Sequence, residues 1–250
     1  MAGHSKWKKV KHKKEAADAK KGKIFTTLIR EITVAARKGG GDPNFNPALR
    51  SAIIAAREQN MPSDNIDRAI KRGTGEIEGI IFEEVLYEGY GPAGVAMIVD
   101  VLTDNKNRIV SEIRSCFTRY NGNLASSGSV AWQFSKKGIL TIDKKVAKED
   151  LVFETALNAG AEDVSDQEDG FEVYTKPENF ESVKQAFENA KIKIASSEIA
   201  MIPQSTIHLS GKEAEQMVKL MESLEDFDDV RKVYANFDID EKEMERLAQA

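Results

Sequence analysis

GILTID at 138–143, AKEDLVFETALNA at 147–159, EDVSDQEDGFEVYT at 162–175, ENFESVKQAFENA at 178–190 and IKIASSEIAMI at 192–202 decide the fold. By period and punctuation they read as a strand, a helix, a hairpin turning at Asp169-Gly170, a second helix and a closing strand. The order is βαββαβ, the split βαβ or ferredoxin-like sandwich.

Outward from this stretch, both flanks carry pieces of a second α+β unit. IIFEEVLYE at 80–88 and VAMIVDVL at 95–102 are strand-like runs joined across Gly89-Tyr90-Gly91-Pro92-Ala93-Gly94, a hairpin. Asp104 or Asn105 caps a helix bearing Ile109, Ile113, Cys116 and Phe117 that stops near Asn121-Gly122, and Leu124 to Phe134 returns to strand. On the far side, STIHL at 205–209 is a strand, 212–224 a helix and 227–237 a strand that would complete the sheet. The expectation is a domain at 135–203 inserted into a discontinuous one made of 80–134 and 204–250. The terminal DIDEKEMERLAQA reads as an acidic amphipathic helix.

The head of the chain is helical. Ile24, Phe25, Leu28, Ile29, Ile32 and Ala36 recur at threes and fours from Lys20 until Gly39-Gly40-Gly41 stops them. Asn46-Pro47 opens a second helix with Leu49, Ala52, Ile53 and Ala56 on one face, ending at Asn60. Met61-Pro62-Ser63 opens a third, with Ile66, Ala69 and Ile70, closed by Gly73-Thr74-Gly75. Residues 21–79 thus form a three-helix bundle, preceded at 1–20 by a basic arm with no face to bury, disordered when free. The fold class is α+β in three domains: the bundle and two ferredoxin-like units, one inserted in the other.

Charge is divided unevenly. Residues 1–73 hold 17 Lys and Arg against 7 Asp and Glu, while 74–250 hold 19 against 34. A basic head on an acidic body suits a module that meets a polyanion, because Lys and Arg release counterions from phosphates. In the arm, Lys6, Lys8, Lys9, Lys11, Lys13 and Lys14 interleave with Trp7 and His12, a composition fit to hold phosphates while an indole stacks on an unpaired base. The bland alternative is a solvated or targeting tail. Lys20, Lys21, Lys23 and Arg30 continue the charge into the first helix. On the third helix Arg68, Lys71 and Arg72 stand at i, i+3 and i+4, and on the second Arg50 and Arg57 are two turns apart, so each set shares a face. An ordinary polar face balanced by Asp64 and Asp67 explains them equally. A helix-turn-helix is conceivable over 46–72, yet Asp64 and Asp67 at the start of its recognition helix oppose a phosphate backbone.

Other patterns exclude more than they suggest. Gly89-x-Gly91-x-x-Gly94 matches a dinucleotide fingerprint, but a strand follows where a helix N-terminus is required. Ser126-Ser127-Gly128-Ser129 lacks a nucleophile elbow and has no histidine nearby in sequence. A single cysteine, Cys116, with His4, His12 and His208 gives no metal-ligand spacing. Neither a catalytic residue, a metal nor a cofactor is expected. No apolar run approaches 18 residues and no secretory signal opens the chain, so the expectation is a cytoplasmic protein with no membrane partner. Asp104-Asn105-Lys106-Asn107-Arg108 serves as a helix cap, or places Asn105, Asn107 and Arg108 in a cleft to contact RNA or a ribosomal element.

MAGHSKW, KHKK, GKIFTTLIREITVAARKGG, DPNFNPALR, NMPSDNIDRAIKRGTG, YEGYGPAGVA, TDNKNR and GSVAWQF resemble the YebC/PmpR family, densely to Phe134 and by domain order beyond it. The chain departs from the pattern at Asn121 to Ala125, where glycine is commoner, and at Ile109, where threonine is usual. The resemblance implies three domains around a central cleft and a regulator of gene expression: a DNA-binding transcriptional regulator, or a ribosome-associated translation factor that relieves stalls. From arm composition and resemblance together, the leading expectation is a non-enzymatic RNA-binding translation factor gripping ribosomal RNA or tRNA, with duplex DNA the alternative partner.

Overall fold

The computed structural model describes residues 17–167 and 170–249. They divide into two compact units, 132–206 and 17–131 together with 207–249.

In the larger unit, α1 (Ala17–Gly39) carries two faces. Leu28, Ile32, Ala35 and Ala36 join Leu49, Ile53 and Ala56 of α2 (Pro47–Glu58) and Ile66 and Ala69 of α3 (Ser63–Thr74) in one buried cluster. The helix opens at Ala17, so 17–20, expected in the arm, is helical. Gly40 stops it with φ +85°, its N–H returning to the Ala36 carbonyl at 2.9 Å. Asn46 caps α2, its Oδ1 accepting from the Leu49 N–H at 3.1 Å.

The same unit holds a four-stranded antiparallel sheet in the order β3 (Asn123–Ala125), β1 (Glu83–Tyr90), β2 (Ala96–Thr103), β9 (Val230–Ala235). Met97, Val99 and Val101 of β2 pack with Ile109, Ile113 and Phe117 of α4 (Lys106–Arg119) and Met217, Leu220 and Met221 of α7 (Gly211–Glu225). Ile98 and Leu102, on the opposite face, are buried too. A strand covered on both faces needs no polar alternation, hence an apolar run at 95–102 interrupted only by Asp100, which pairs with Arg231 of β9. Met244 of α8 (Glu241–Gln249) is buried in the same core.

The smaller unit is an antiparallel sheet in the order β5 (Asp163–Asp166), β6 (Gly170–Thr175), β4 (Phe134–Asp143), β7 (Ser196–Pro203). With α5 (Glu149–Asn158) and α6 (Phe180–Asn189) it makes the ferredoxin-like sandwich expected from the central stretch. Leu140, Ile142, Val152, Phe171, Val173, Val183 and Phe187 form its core. Asp169, expected in its hairpin, lies outside the described residues.

Three local expectations are corrected. Strand β1 begins at Glu83 and includes Gly89 and Tyr90, so the turn proper is Pro92–Gly94. The strand expected over 124–134 is reduced to Asn123–Ala125, and Phe134 opens β4 of the smaller unit. The buried Glu88 carboxylate takes the N–H groups of Gly128, Val130 and Ala131 at 2.6, 2.7 and 2.8 Å, and these bonds shape the following loop in place of a sheet ladder. Finally, 205–209 does not enter the four-stranded sheet. Its β8 (Ile207–His208) pairs in parallel with β10 (Phe237–Asp238), which splits the strand expected over 227–237.

Candidate nucleic-acid interface

Two groups of basic residues in the larger unit bear on a nucleic-acid interface, one turned outward and one spent on internal ion pairs. The outward group is in the bundle. Arg50 and Arg57 on α2 and Arg68, Lys71 and Arg72 on α3 are exposed. The apolar residues of both helices face α1, so their charges are forced to the other side. Among the described residues none of these five forms an ion pair; Arg50 Nη1 donates to the Pro43 carbonyl at 2.9 Å. The packing of α1 on α3 adds a residue to this group. Gly73 sits so close to α1 that a Cβ there would lie 2.4 Å from the Thr33 carbonyl oxygen and 3.2 Å from the Arg37 nitrogen. Exposed Arg37 therefore stands beside the last turn of α3, where Lys71 and Arg72 are. The signal was available in the basic ending RKGG of α1, but only the helix crossing joins it to the third helix.

The second group ties α1 to the sheet. Asp229, just before β9, accepts from Arg30 Nη1 at 2.8 Å, Arg108 Nη2 at 2.6 Å and Thr103 Oγ1 at 2.8 Å. Burial works to raise the Asp229 pKa, yet the hydrogen bonds from Arg108 and Thr103 and the charges of Arg30 and Arg108 hold it below the usual range. Arg30 also reaches the Asp228 carbonyl at 2.8 Å and packs its guanidinium 5.3 Å from the centre of the Phe82 ring. Further along, Arg231 binds Asp100 at 2.6 Å and Glu84 at 2.9 Å, and Lys38 also pairs with Glu84. Burial pushes the Glu31 carboxyl up, against the charges of Arg231 and Lys232. At the other end of α1, Lys23 donates to the Glu225 carbonyl at the C-terminus of α7, where the helix dipole favours a cation.

The proposed contacts at 105–108 are partly explained by folding needs. Asn105 is the N-cap of α4, accepting from the Arg108 N–H at 3.0 Å. Arg108 is held between Asp229 and Asp104, the latter at 2.8 Å, while Asn107 is exposed. Arm residues Lys6, Trp7, Lys8, Lys9, Lys11, His12, Lys13 and Lys14 lie outside the described residues. Lys20 and Lys21 stand on the backbone of α1, with their side chains outside the described part. Of the expected site residues, therefore, the structure groups Arg68, Lys71 and Arg72 and separately Arg50 and Arg57 on outward faces, whereas Lys23, Arg30 and Arg108 are engaged internally.

Comparison with known proteins matches residues 5–76 to the TACO1/YebC N-terminal domain and residues 82–237 to the TACO1/YebC second and third domain. The chain belongs to the TACO1/YebC family. It is 58% identical to a probable transcriptional regulatory protein of Geobacter sulfurreducens over 247 residues, covering 99% of this chain and all of the relative. A protein of the same name from Desulforapulum autotrophicum is 58% identical over 239 residues, 96% of this chain and 97% of that one. The crystal structure of a conserved hypothetical protein of Aquifex aeolicus matches with a TM-score of 0.81 at 47% identity, over 91% of this chain and 94% of that one. Among the described residues no helix of this TACO1/YebC protein is long and apolar enough to cross a membrane.

Proposed function

We propose that this protein is a non-enzymatic, cytoplasmic regulator of gene expression that holds a nucleic-acid backbone with its basic N-terminal head. The observation that carries this reading is the outward faces of α2 and α3, which together bear five cations without ion-pair partners among the described residues, on a head whose sequence charge is opposite to that of the body. Its chemistry is positioning, with phosphate contacts fixing register and orientation.

Two levels of regulation are open to such a protein. The name carried by its relatives favours transcription and a duplex DNA partner. A specific observation favours the second, translational level: Asp64 and Asp67 stand exposed at the start of α3, where a recognition helix would meet the phosphates of a major groove. The arm, with lysines around Trp7, suits unpaired RNA, and on this second reading the protein engages ribosomal RNA or tRNA at stalled ribosomes. Sedimentation of wild-type and arm-deleted protein through gradients of lysate, with and without nuclease, separates the readings. Arm-dependent migration with ribosomal particles establishes translation. Protein that stays at the top while its purified form shifts a specific duplex establishes transcription, and absence of both defeats the nucleic-acid reading.

A further inference from the structure

We propose that Phe45 is a stacking platform for an unpaired nucleobase, with Arg50 and then Arg57 further along α2 as holders of the following phosphates. The proposal rests on the nucleic-acid reading above and adds to it a contact that charge alone does not make. Phe45 is 86% exposed, the ring offered to solvent from the loop between α1 and α2. An apolar ring gains nothing from water, and a pliable loop would fold it down. This loop is instead held in shape by its own hydrogen bonds. Asn46 Nδ2 donates to the carbonyls of Ala35 and Gly40 at 2.8 Å each, and the Asp42 carboxylate accepts from the Asn44 N–H at 2.8 Å. The Phe45 N–H reaches the Asp42 carbonyl at 3.2 Å, and the Arg50 guanidinium clasps the Pro43 carbonyl at 2.9 Å.

The surroundings of the ring identify its partner. Arg50, Ile54 and Arg57 recur at i, i+4 and i+7 on the outward face of α2, all exposed, while Leu49, Ile53 and Ala56 face the bundle. Seven residues of helix separate the two arginines by about 10 Å along the axis. Glu58 borders the row, but among the described residues it pairs with neither arginine. A rigid aromatic face at the head of a row of cations that lack carboxylate partners among the described residues is complementary to a ligand with both a π-surface and negative charge. Single-stranded nucleic acid has these together, whereas a base inside a duplex has its faces covered.

The test uses the full chain with short single-stranded RNA and DNA oligonucleotides carrying iodouridine, and a blunt DNA duplex for comparison. The expected results are a photocrosslink mapped to Phe45 and a loss of single-strand affinity in Phe45→Ala of about fivefold to a hundredfold. Phe45→Tyr should restore binding and Phe45→Leu should not, with duplex affinity unmoved. The RNA and DNA arms show which single strand is preferred. Equal, salt-dependent binding by wild type and Phe45→Ala overturns the stacking proposal and leaves the nucleic-acid reading standing. Rescue by leucine, or a loss confined to a protein partner, also overturns it. If wild type binds no oligonucleotide at low salt, both readings fall.

Discussion

Arg30 and Asp229, 199 positions apart in sequence, meet with Nη1 2.8 Å from Oδ1. The Asp229 side chain is 6% exposed and that of Arg30 17%, so the pair lies where water screens it poorly. It fastens the face of α1 that is left over after the bundle core is built. Removing the shared carboxylate takes an acceptor from two guanidiniums and from the Thr103 hydroxyl, leaving Arg108 with Asp104 and Arg30 with the Asp228 carbonyl. Asp229→Ala is therefore expected to cost about 2–4 kcal/mol, read from the midpoint of urea unfolding. Arg108→Ala should cost less, because that side chain is 44% exposed and water takes the place of the carboxylate.

Two carboxylates of this junction, the buried Asp229 and the half-buried Glu31, predict opposite responses to pH. Asp229 has its folded pKa held down, so its stabilisation is present above an unfolded value of about 3.9 and is lost as pH falls through the folded value. Glu31 has its folded pKa pushed up by burial. Its favourable contribution is present below an unfolded value of about 4.3 and is lost as pH rises through the folded value. Glu31→Gln should accordingly raise the urea midpoint at neutral pH, a gain that fades toward about pH 4. Asp229→Asn should lower the midpoint at neutral pH, and its deficit should shrink as wild type loses the same interaction in acid. Parallel curves for the two variants would contradict this assignment.

Gly73 gives a prediction about packing. Thr33 Oγ1 donates to the Ala69 carbonyl at 3.3 Å, and the first carbon of any side chain at Gly73 would lie 2.6 Å from the Ala36 Cβ. Gly73→Ala must separate α1 from α3, and an overpacked crossing of this kind costs about 1–3 kcal/mol. The loss should appear as a lower Tm, about 2–4 °C for each kcal/mol in a chain of this size. Gly22→Ala, where nothing lies within 4 Å, is the control that should not destabilise the protein.

Periodicity sufficed for the helices of the bundle and for the central βαββαβ, because those elements bury one face against neighbours close in sequence. It misread 124–134 because the decisive group is a carboxylate on another strand. Glu88 draws three backbone N–H groups around itself, and no local pattern announces that. The candidate interface divides for the same reason. The i, i+3, i+4 spacing of Arg68, Lys71 and Arg72 could be read directly, since both the apolar and the basic faces of α3 are written in its own residues. Arg30 and Arg108 looked equally basic, and what removes them from that surface is Asp229, far away in the chain. Charge content is a local property, whereas pairing depends on tertiary structure.

That division predicts two kinds of arginine variant. Replacing Arg68, Lys71 and Arg72 together with Ala should leave the urea midpoint nearly unchanged, because their side chains are exposed and lack ion pairs among the described residues. It should weaken nucleic-acid binding and reduce the slope of log K against log salt by about 0.7–0.9 for each phosphate that is no longer neutralised. Arg30→Ala should do the reverse, lowering the unfolding midpoint while preserving the slope at temperatures where the variant is folded, because its guanidinium is bound to Asp229. Titrations at several salt concentrations, paired with urea melts of the same preparations, measure both quantities. A slope that falls with Arg30→Ala and not with the triple variant would place the phosphate-binding cations at the junction rather than on the outer face of the bundle.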